Sequence, residues 1–328
     1  AVALILLQLP ATVALNRGGL ALNRAQVALD LTPAEETAAY IDAGAAFQRA
    51  LARRPATARA YANLGAMYND FGDTDAAAQA YGEAVRLAPG DRMAQFFYGE
   101  ALAAERREAA AREAWAAAQA QDVFVARAKD LRGSDPEAAR LNAERAVAIA
   151  PDAPESVQAL GDLLVAQGEI TAALTLYTDA AARVPDEPSF PYQAGVLLRR
   201  QFGNPDAALV ALQTALDVDT DDGATRLELA RIFADRGACY EAEAYLAQLV
   251  RTLPVTSEEK QAHVLAAQCH LDQDRPRTAL PYLEALVSDE ALQGKDPALS
   301  HVLLLAAAHR AAGDTAAAIA AYTWALEL

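Results

Sequence analysis

The sequence predicts an all-α chain, an α-solenoid of antiparallel helix hairpins set in tandem. Three observations predict it. One pattern of small and large residues recurs in a 34-residue register over 58–328. Within each copy the apolar residues fall at i, i+4 and i+7, the spacing of a helix face, and strand signals are nearly absent. The break inside each copy is a tight turn such as Gly72-Asp73, which joins two helices of about a dozen residues as antiparallel neighbours.

In chain order, 1–57 reads as irregular N-terminal helices. There 14–30 ("ALNRGGLALNRAQVALD") and 34–53 form one longer hairpin, whose second helix carries Ala43, Phe47 and Ala50 before Pro55. The clearest copy is 58–91, containing "YANLGAMYNDFGD". A glycine inside a helix costs about 1 kcal/mol relative to alanine, so Gly65 implies that a second backbone comes close. The following helix supplies it: Asp73 or Thr74 caps it, Ala77, Tyr81 and Ala84 form its stripe, and Pro89 lies at its end. Tyr61, Leu64, Gly65 and Tyr68 share the facing side, so small residues let the helices close and large ones fill the space around them.

The copies continue along the chain. Residues 92–125 keep Tyr98-Gly99, Leu102, Ala111, Trp115 and Ala118, and 126–153 have a first helix shortened to about 123–131 but keep Ala139, Ala146 and Pro151. Residues 154–187 repeat the pattern closely with Leu160-Gly161, Leu164, Gly168, Ala173, Tyr177, Ala180 and Pro185. After one inserted residue, 188–222 keep Ala208, Leu212 and Ala215, while 223–256 keep Leu229-Ala230, Gly237, Ala242, Leu246 and Pro254. Weaker copies follow at 260–293 (Ala266-Ala267, Ala279, Leu283) and 299–328 (Leu305-Ala306, Gly313, Ala318, Tyr322). Each unit needs its neighbours to bury its faces, so 58–328 is expected to be one continuous solenoid.

With those positions in place, the chain resembles the tetratricopeptide repeat family: 58–91 carries every signature position and the recurrences cover 58–328. The resemblance implies a right-handed superhelix whose first helices line a concave face. It also implies a non-catalytic scaffold that binds a peptide or partner segment there. In chaperone-binding members a carboxylate clamp sets Lys or Arg with Asn at fixed positions of successive units. Ala62 and Ala66 stand at the first two such positions, so the resemblance does not extend to that ligand.

Several function classes are disfavoured by what the sequence lacks. The net charge is −16, with 44 acidic against 28 basic residues, and no stretch gathers the Lys and Arg that phosphate neutralisation requires. Nucleic acid is therefore not an expected partner. The acidity is expected on a solvated outer face, with an acidic groove for a basic partner as the alternative. No phosphate-binding loop, nucleophile elbow or paired Cys-x-x-Cys is present, so neither an enzyme nor a cofactor is expected. His263, His270, His301 and His309 fall on first helices of the last two units. Because His270 and His309 occupy the place of Tyr68, and His263 that of Tyr61, they read as packing residues and no metal is expected. Cys239 and Cys269 fall at positions able to face each other between adjacent units. They read first as two buried small apolar residues, with a disulfide and an oxidising compartment as the alternative.

What remains is a surface. Positions one or two residues off the packing face of the first helices give Asn63, Asn69, Met93, Phe96, Phe97, Glu100, Gln158, Asp162, Tyr192, Gln193, Arg199 and Arg231 as the candidate partner groove. Glu228 and Gln268 fall on the same face. Asn and Gln suit a peptide backbone, and the aromatics suit apolar side chains. A second reading comes from the ends. "AVALILLQLP" offers Leu4, Ile5, Leu7 and Leu9, and the last helix offers Ile319, Tyr322, Trp324 and Leu328, a heterologous pair able to join subunits head to tail in a ring or filament. Residues 1–9 are too short to span a bilayer, for which about 20 apolar residues are needed. Membrane attachment would run through a segment preceding Ala1, as in bacterial envelope proteins that the chain resembles, and the expected compartment is the cell envelope or the exterior.

Overall fold

A computed structural model of the 328-residue chain describes residues 2–27, 32–250, 256–292 and 297–328, with the side chains of 2–9 and 289–292 left aside. Among the described residues there are eighteen helices and no strand. The chain divides into two compact units, Ala1–Leu163 and Leu164–Leu328.

The N-terminal unit pairs α1 (Val2–Val27) with α2 (Pro33–Arg53), α3 (Ala58–Asp70) with α4 (Thr74–Leu87), α5 (Arg92–Ala104) with α6 (Glu108–Ala118), and α7 (Gln121–Leu131) with α8 (Pro136–Ile149). The boundary between the units falls in α9 (Pro154–Ala166). The C-terminal unit continues with α10 (Ile170–Arg183) and then pairs α11 (Ser189–Arg200) with α12 (Pro205–Val218), α13 (Gly223–Asp235) with α14 (Cys239–Leu246), α15 (Ser257–Asp272) with α16 (Pro276–Leu292), and α17 (Leu299–Ala311) with α18 (Thr315–Glu327). Among the described residues no helix is long and apolar enough to cross a membrane.

Side-chain size at two repeat positions sets the hairpin geometry. Tyr81, Trp115, Tyr177, Leu212, Leu246 and Leu283 occupy one equivalent place on the second helices, and none is more than 3 % exposed. Tyr81, Trp115 and Leu212 meet Gly65, Gly99 and Gly195 on the preceding first helices. A Cβ built on Gly65 would lie 2.8 Å from the ring of Tyr81, closer than real Cβ contacts allow, so the glycine is there to admit the tyrosine. The N-terminal hairpin obeys the same rule, because a Cβ on Gly18 would lie 2.5 Å from Phe47, itself fully buried. It is therefore a repeat-like pair. Its first helix, expected over 14–30, instead runs unbroken from Val2 with Pro10 inside it.

The turns recur as exactingly as the packing. Gly72 adopts φ 74°, and Gly168, Gly237 and Gly313 repeat this left-handed conformation at the same register. There the amide three residues past the helix reaches back into it, as Asp73 N does to the carbonyl of Tyr68 at 2.9 Å. Arg106 (φ 61°) and Asp274 (φ 57°) hold the same conformation without being glycine, at a local cost of about 1–2 kcal/mol. Asp73, Asp91, Asp135, Asn204, Asp222 and Asp314 then cap the next helix by accepting from its first amides. The shortened unit begins at Gln121, two residues before the expected start, and its α8 buries Ala139 and Ala146 completely.

The two cysteines correct the sequence reading. Cys239 and Cys269 are bonded to each other as a disulfide, with Cα atoms 5.5 Å apart, rather than lying side by side as free thiols. The bond joins α14 to α15 inside the core formed by Leu227, Ala242, Leu246, Ala262 and Ala266.

Candidate functional site

In the N-terminal unit the candidate groove residues lie on α3, α5 and α9. Asn63 is half-buried and Asn69 exposed on α3, while Asp70 accepts from the Tyr40 hydroxyl at 3.1 Å and the Gln26 amide at 2.7 Å. Burial, then the hydrogen bond to Asp70, pushes the Tyr40 hydroxyl up to about 12. On α5, Met93 is 64 % and Phe97 38 % exposed, and Phe97 stacks on Tyr81 with ring centroids 5.8 Å apart.

Phe96 departs from its expected place. Successive residues on a helix point about 100° apart, so only one of two neighbouring aromatics can face outward. Phe96 turns inward against Phe124 at 5.9 Å, and the Arg127 guanidinium lies 5.1 Å over its ring. It is a core residue. Glu100 is half-buried between Arg127 at 3.1 Å and Arg145 at 4.0 Å, so it serves an internal ion pair. Gln158 is exposed and Asp162 half-exposed on α9.

In the C-terminal unit three arginines of α11 and α13 gather around a buried acid. The Glu228 side chain on α13 is only 4 % exposed. Its Oε2 accepts from Arg199 Nε at 2.9 Å and lies 2.6 Å from the Nη2 of the same guanidinium, and its Oε1 accepts from Arg200 at 2.6 Å and Arg231 at 2.8 Å. Burial pushes this carboxyl up, but hydrogen bonds and charge from Arg199 and Arg200 outweigh it and hold the group below the usual carboxylate range. Arg199 and Arg231 are thus not the independent groove residues that the sequence reading takes them for. They are anchored by Glu228, and Arg231 also donates to Gln261. Tyr192 and Gln193, both half-buried, lie on α11, and the Tyr192 hydroxyl is raised, first by burial and then by the charge of Glu228.

Beyond Arg231, a depression of about 380 Å³ is lined by α13, α15 and α17. Arg231, Lys260, Gln261, Gln268 and His301 supply its polar wall, and Val264 and Leu265 its apolar part. Sequence reasoning missed Lys260, Gln261 and His301 in this role. A readable signal existed in the Arg199-Arg200 pair one repeat before Glu228 and in Arg231 three residues after it.

The two histidines of α15 pack inside. His263 and His270 are buried on either side of Tyr282, which stacks on His270 at 5.5 Å, and His263 Nδ1 lies 2.9 Å from the Glu259 carbonyl. Among the described residues no group of three His, Cys, Asp or Glu is placed to hold a metal. On α18, Ile319 is 61 % exposed while Tyr322 and Trp324 are half-buried, and Leu328, just past the helix, is 44 % exposed. The side chains of Leu4, Ile5, Leu7 and Leu9 lie outside the described residues.

Repeated hairpins, a small-against-large seam and a polar first-helix face define a repeat scaffold. A family profile for the tetratricopeptide repeat matches residues 39–92, 69–122, 129–188 and 194–257, more than half of the chain. The chain belongs to the tetratricopeptide repeat family, whose fold is generally a non-catalytic scaffold for protein partners. No curated protein matches the sequence. Among solved structures it is similar to a tetratricopeptide repeat protein from Parabacteroides merdae, at 16% identity over 82% of this chain and 92% of that one, with a TM-score of 0.41. It is also similar to YrrB, described as a TPR protein with an unusual peptide-binding site, at 21% identity over 56% and 96% with a TM-score of 0.30. A third is the human IFIT1 dimer with m7Gppp-AAAA, at 16% identity over 89% and 70% with a TM-score of 0.33. These likenesses concern the fold alone.

Proposed function

We propose that this protein is a non-catalytic scaffold that holds an extended partner segment along the first-helix face of its C-terminal unit. The observation that carries this reading is the depression beside Arg231, where the exposed amide side chain of Gln268 stands with Val264 and Leu265. A side-chain amide satisfies a peptide backbone, and the apolar part accepts a side chain beside it. A photo-crosslinking residue placed at Gln268 is expected to capture a protein partner in cells. The same residue at Val210, 70 % exposed on α12, is not. Equal capture from both positions would overturn the reading. The buried disulfide favours an oxidising compartment for this activity.

A second reading, self-association, has the exposure of Ile319 and Leu326 on α18 in its favour, the latter at 89 %. On that reading the sedimentation coefficient rises with concentration, and Ile319→Glu with Leu326→Glu abolishes the rise. A wild-type chain that sediments as a monomer at all concentrations would remove it.

A further inference from the structure

Resting on the scaffold reading, we propose that the segment held by the C-terminal unit is acidic, and that it seats one or two carboxylates on the outward N–H groups of Arg200 and Arg231. The stoichiometry around Glu228 carries the argument. Three guanidinium groups converge on a single carboxylate, and both of its oxygens are already engaged, Oε1 by Arg200 and Arg231 and Oε2 by Arg199. Between them the guanidiniums hold about fifteen N–H donors, against about four lone-pair sites on one carboxylate and the Gln261 oxygen that Arg231 also reaches. Asp235 approaches Arg199 at 3.8 Å, but it is 70 % exposed and its charge is screened by water. Positive charge and unspent donors therefore remain at the surface, foremost on Arg200, whose side chain is 49 % exposed.

Glu228 also explains why this charge makes a good receptor. A free arginine on a helix surface loses side-chain freedom when it grips a ligand, which costs about 0.5–1.5 kcal/mol per immobilised side chain. Here the buried carboxylate has already fixed the guanidiniums, and their planar forks match a carboxylate in two-point contact.

The surrounding charge decides the size of the anionic ligand. The chain as a whole carries −16, so a long polyanion would leave the arginines and run over repelling surface within a Debye length, about 8–10 Å. A short acidic stretch in an otherwise neutral peptide does not meet that penalty. Gln268 lies where its backbone would pass. This places an acidic partner on the first-helix face, the reverse of an acidic groove for a basic one.

The test is selection of a displayed library of random seven-residue peptides on the immobilised full chain. Asp and Glu are expected to be enriched at least about threefold at two or more positions. A synthetic peptide of the winning sequence is expected to lose about tenfold in affinity when its carboxylates become amides, and about as much against the Arg200→Gln variant. Circular dichroism of that variant should match the wild type, since Arg199 and Arg231 still hold Glu228. Winners that lack acidic residues but depend on Gln268 would overturn the acidic partner and leave the scaffold standing. Winners indifferent to both Gln268 and the cations, or no enrichment at all, would overturn both. A twelve-nucleotide polyuridine RNA that binds more tightly than the winning peptides would assign the cations to nucleic acid instead.

Discussion

Replacing Glu228 by alanine is expected to destabilise the C-terminal unit by about 3–5 kcal/mol, because it leaves partly buried guanidinium groups facing one another without their shared acid. The side chain is 4 % exposed and takes contacts from Arg199, Arg200 and Arg231 on two helices, so the loss should be felt in α11 and α13 together. Hydrogen exchange localises it. Amides of α11, α13 and α15 should lose protection, and those of α3 to α6 in the other unit should keep theirs, since repeat stability is a sum over neighbours. In a double-mutant cycle, Glu228→Gln with Arg200→Gln should cost less than the sum of the single changes. An unchanged urea midpoint for Glu228→Ala would mean that water already shields these charges.

The same residue gives the acid limb of stability its sign. Its carboxyl is held below the ordinary value of 4.5 in the folded chain, so it binds fewer protons folded than unfolded near that pH. Its contribution is complete above the unfolded value and is lost as pH falls through the lower folded one. Wild-type stability should therefore drop on acidification below about pH 4.5, with a shallower drop in Glu228→Gln.

Different parts of this architecture were legible in the sequence for different physical reasons. The hairpins were readable because packing there is a two-residue contract, a glycine or alanine on one helix and Tyr81, Trp115 or Leu212 on the other, repeated at fixed spacing. Turn positions were readable because a left-handed residue is chemically conspicuous when it is Gly72, and less so when it is Arg106. The extent of α1 was not readable, since Pro10 resembles a stop and the helix continues through it. Phe96 and Phe97 showed that one of the pair must leave the core, yet periodicity in short, alanine-rich helices does not say which. Glu228 was the largest miss. A charged residue reads as surface, and its burial depends on cations from two separate repeats, which no local pattern reports.

The disulfide marks the other point where a small change should have a large effect. Cys239 and Cys269 are 30 residues apart, and both are at most 3 % exposed. Closing a loop of that length removes unfolded-state freedom worth about 3–4 kcal/mol, and the bond does so where the fold is thin. Its helix α14 has eight residues, about two turns, with little hydrogen-bonded ladder of its own. Cys239→Ala with Cys269→Ala should accordingly lower the urea midpoint of the C-terminal unit, and dithiothreitol should shift the wild type but not the variant. A Trp115→Phe background isolates the reading, because Trp324 then reports on the C-terminal unit alone. The bond also bears on the binding face: Cys269 follows Gln268, and the α14–α15 seam it closes holds α15, with Gln261 and Gln268, against the α13–α14 hairpin that carries Arg231. Loosening that seam should weaken a partner held across it even at temperatures where the helices persist. Two free thiols in the denatured wild-type chain without reductant, or coincident unfolding curves with and without it, would remove the disulfide from this account.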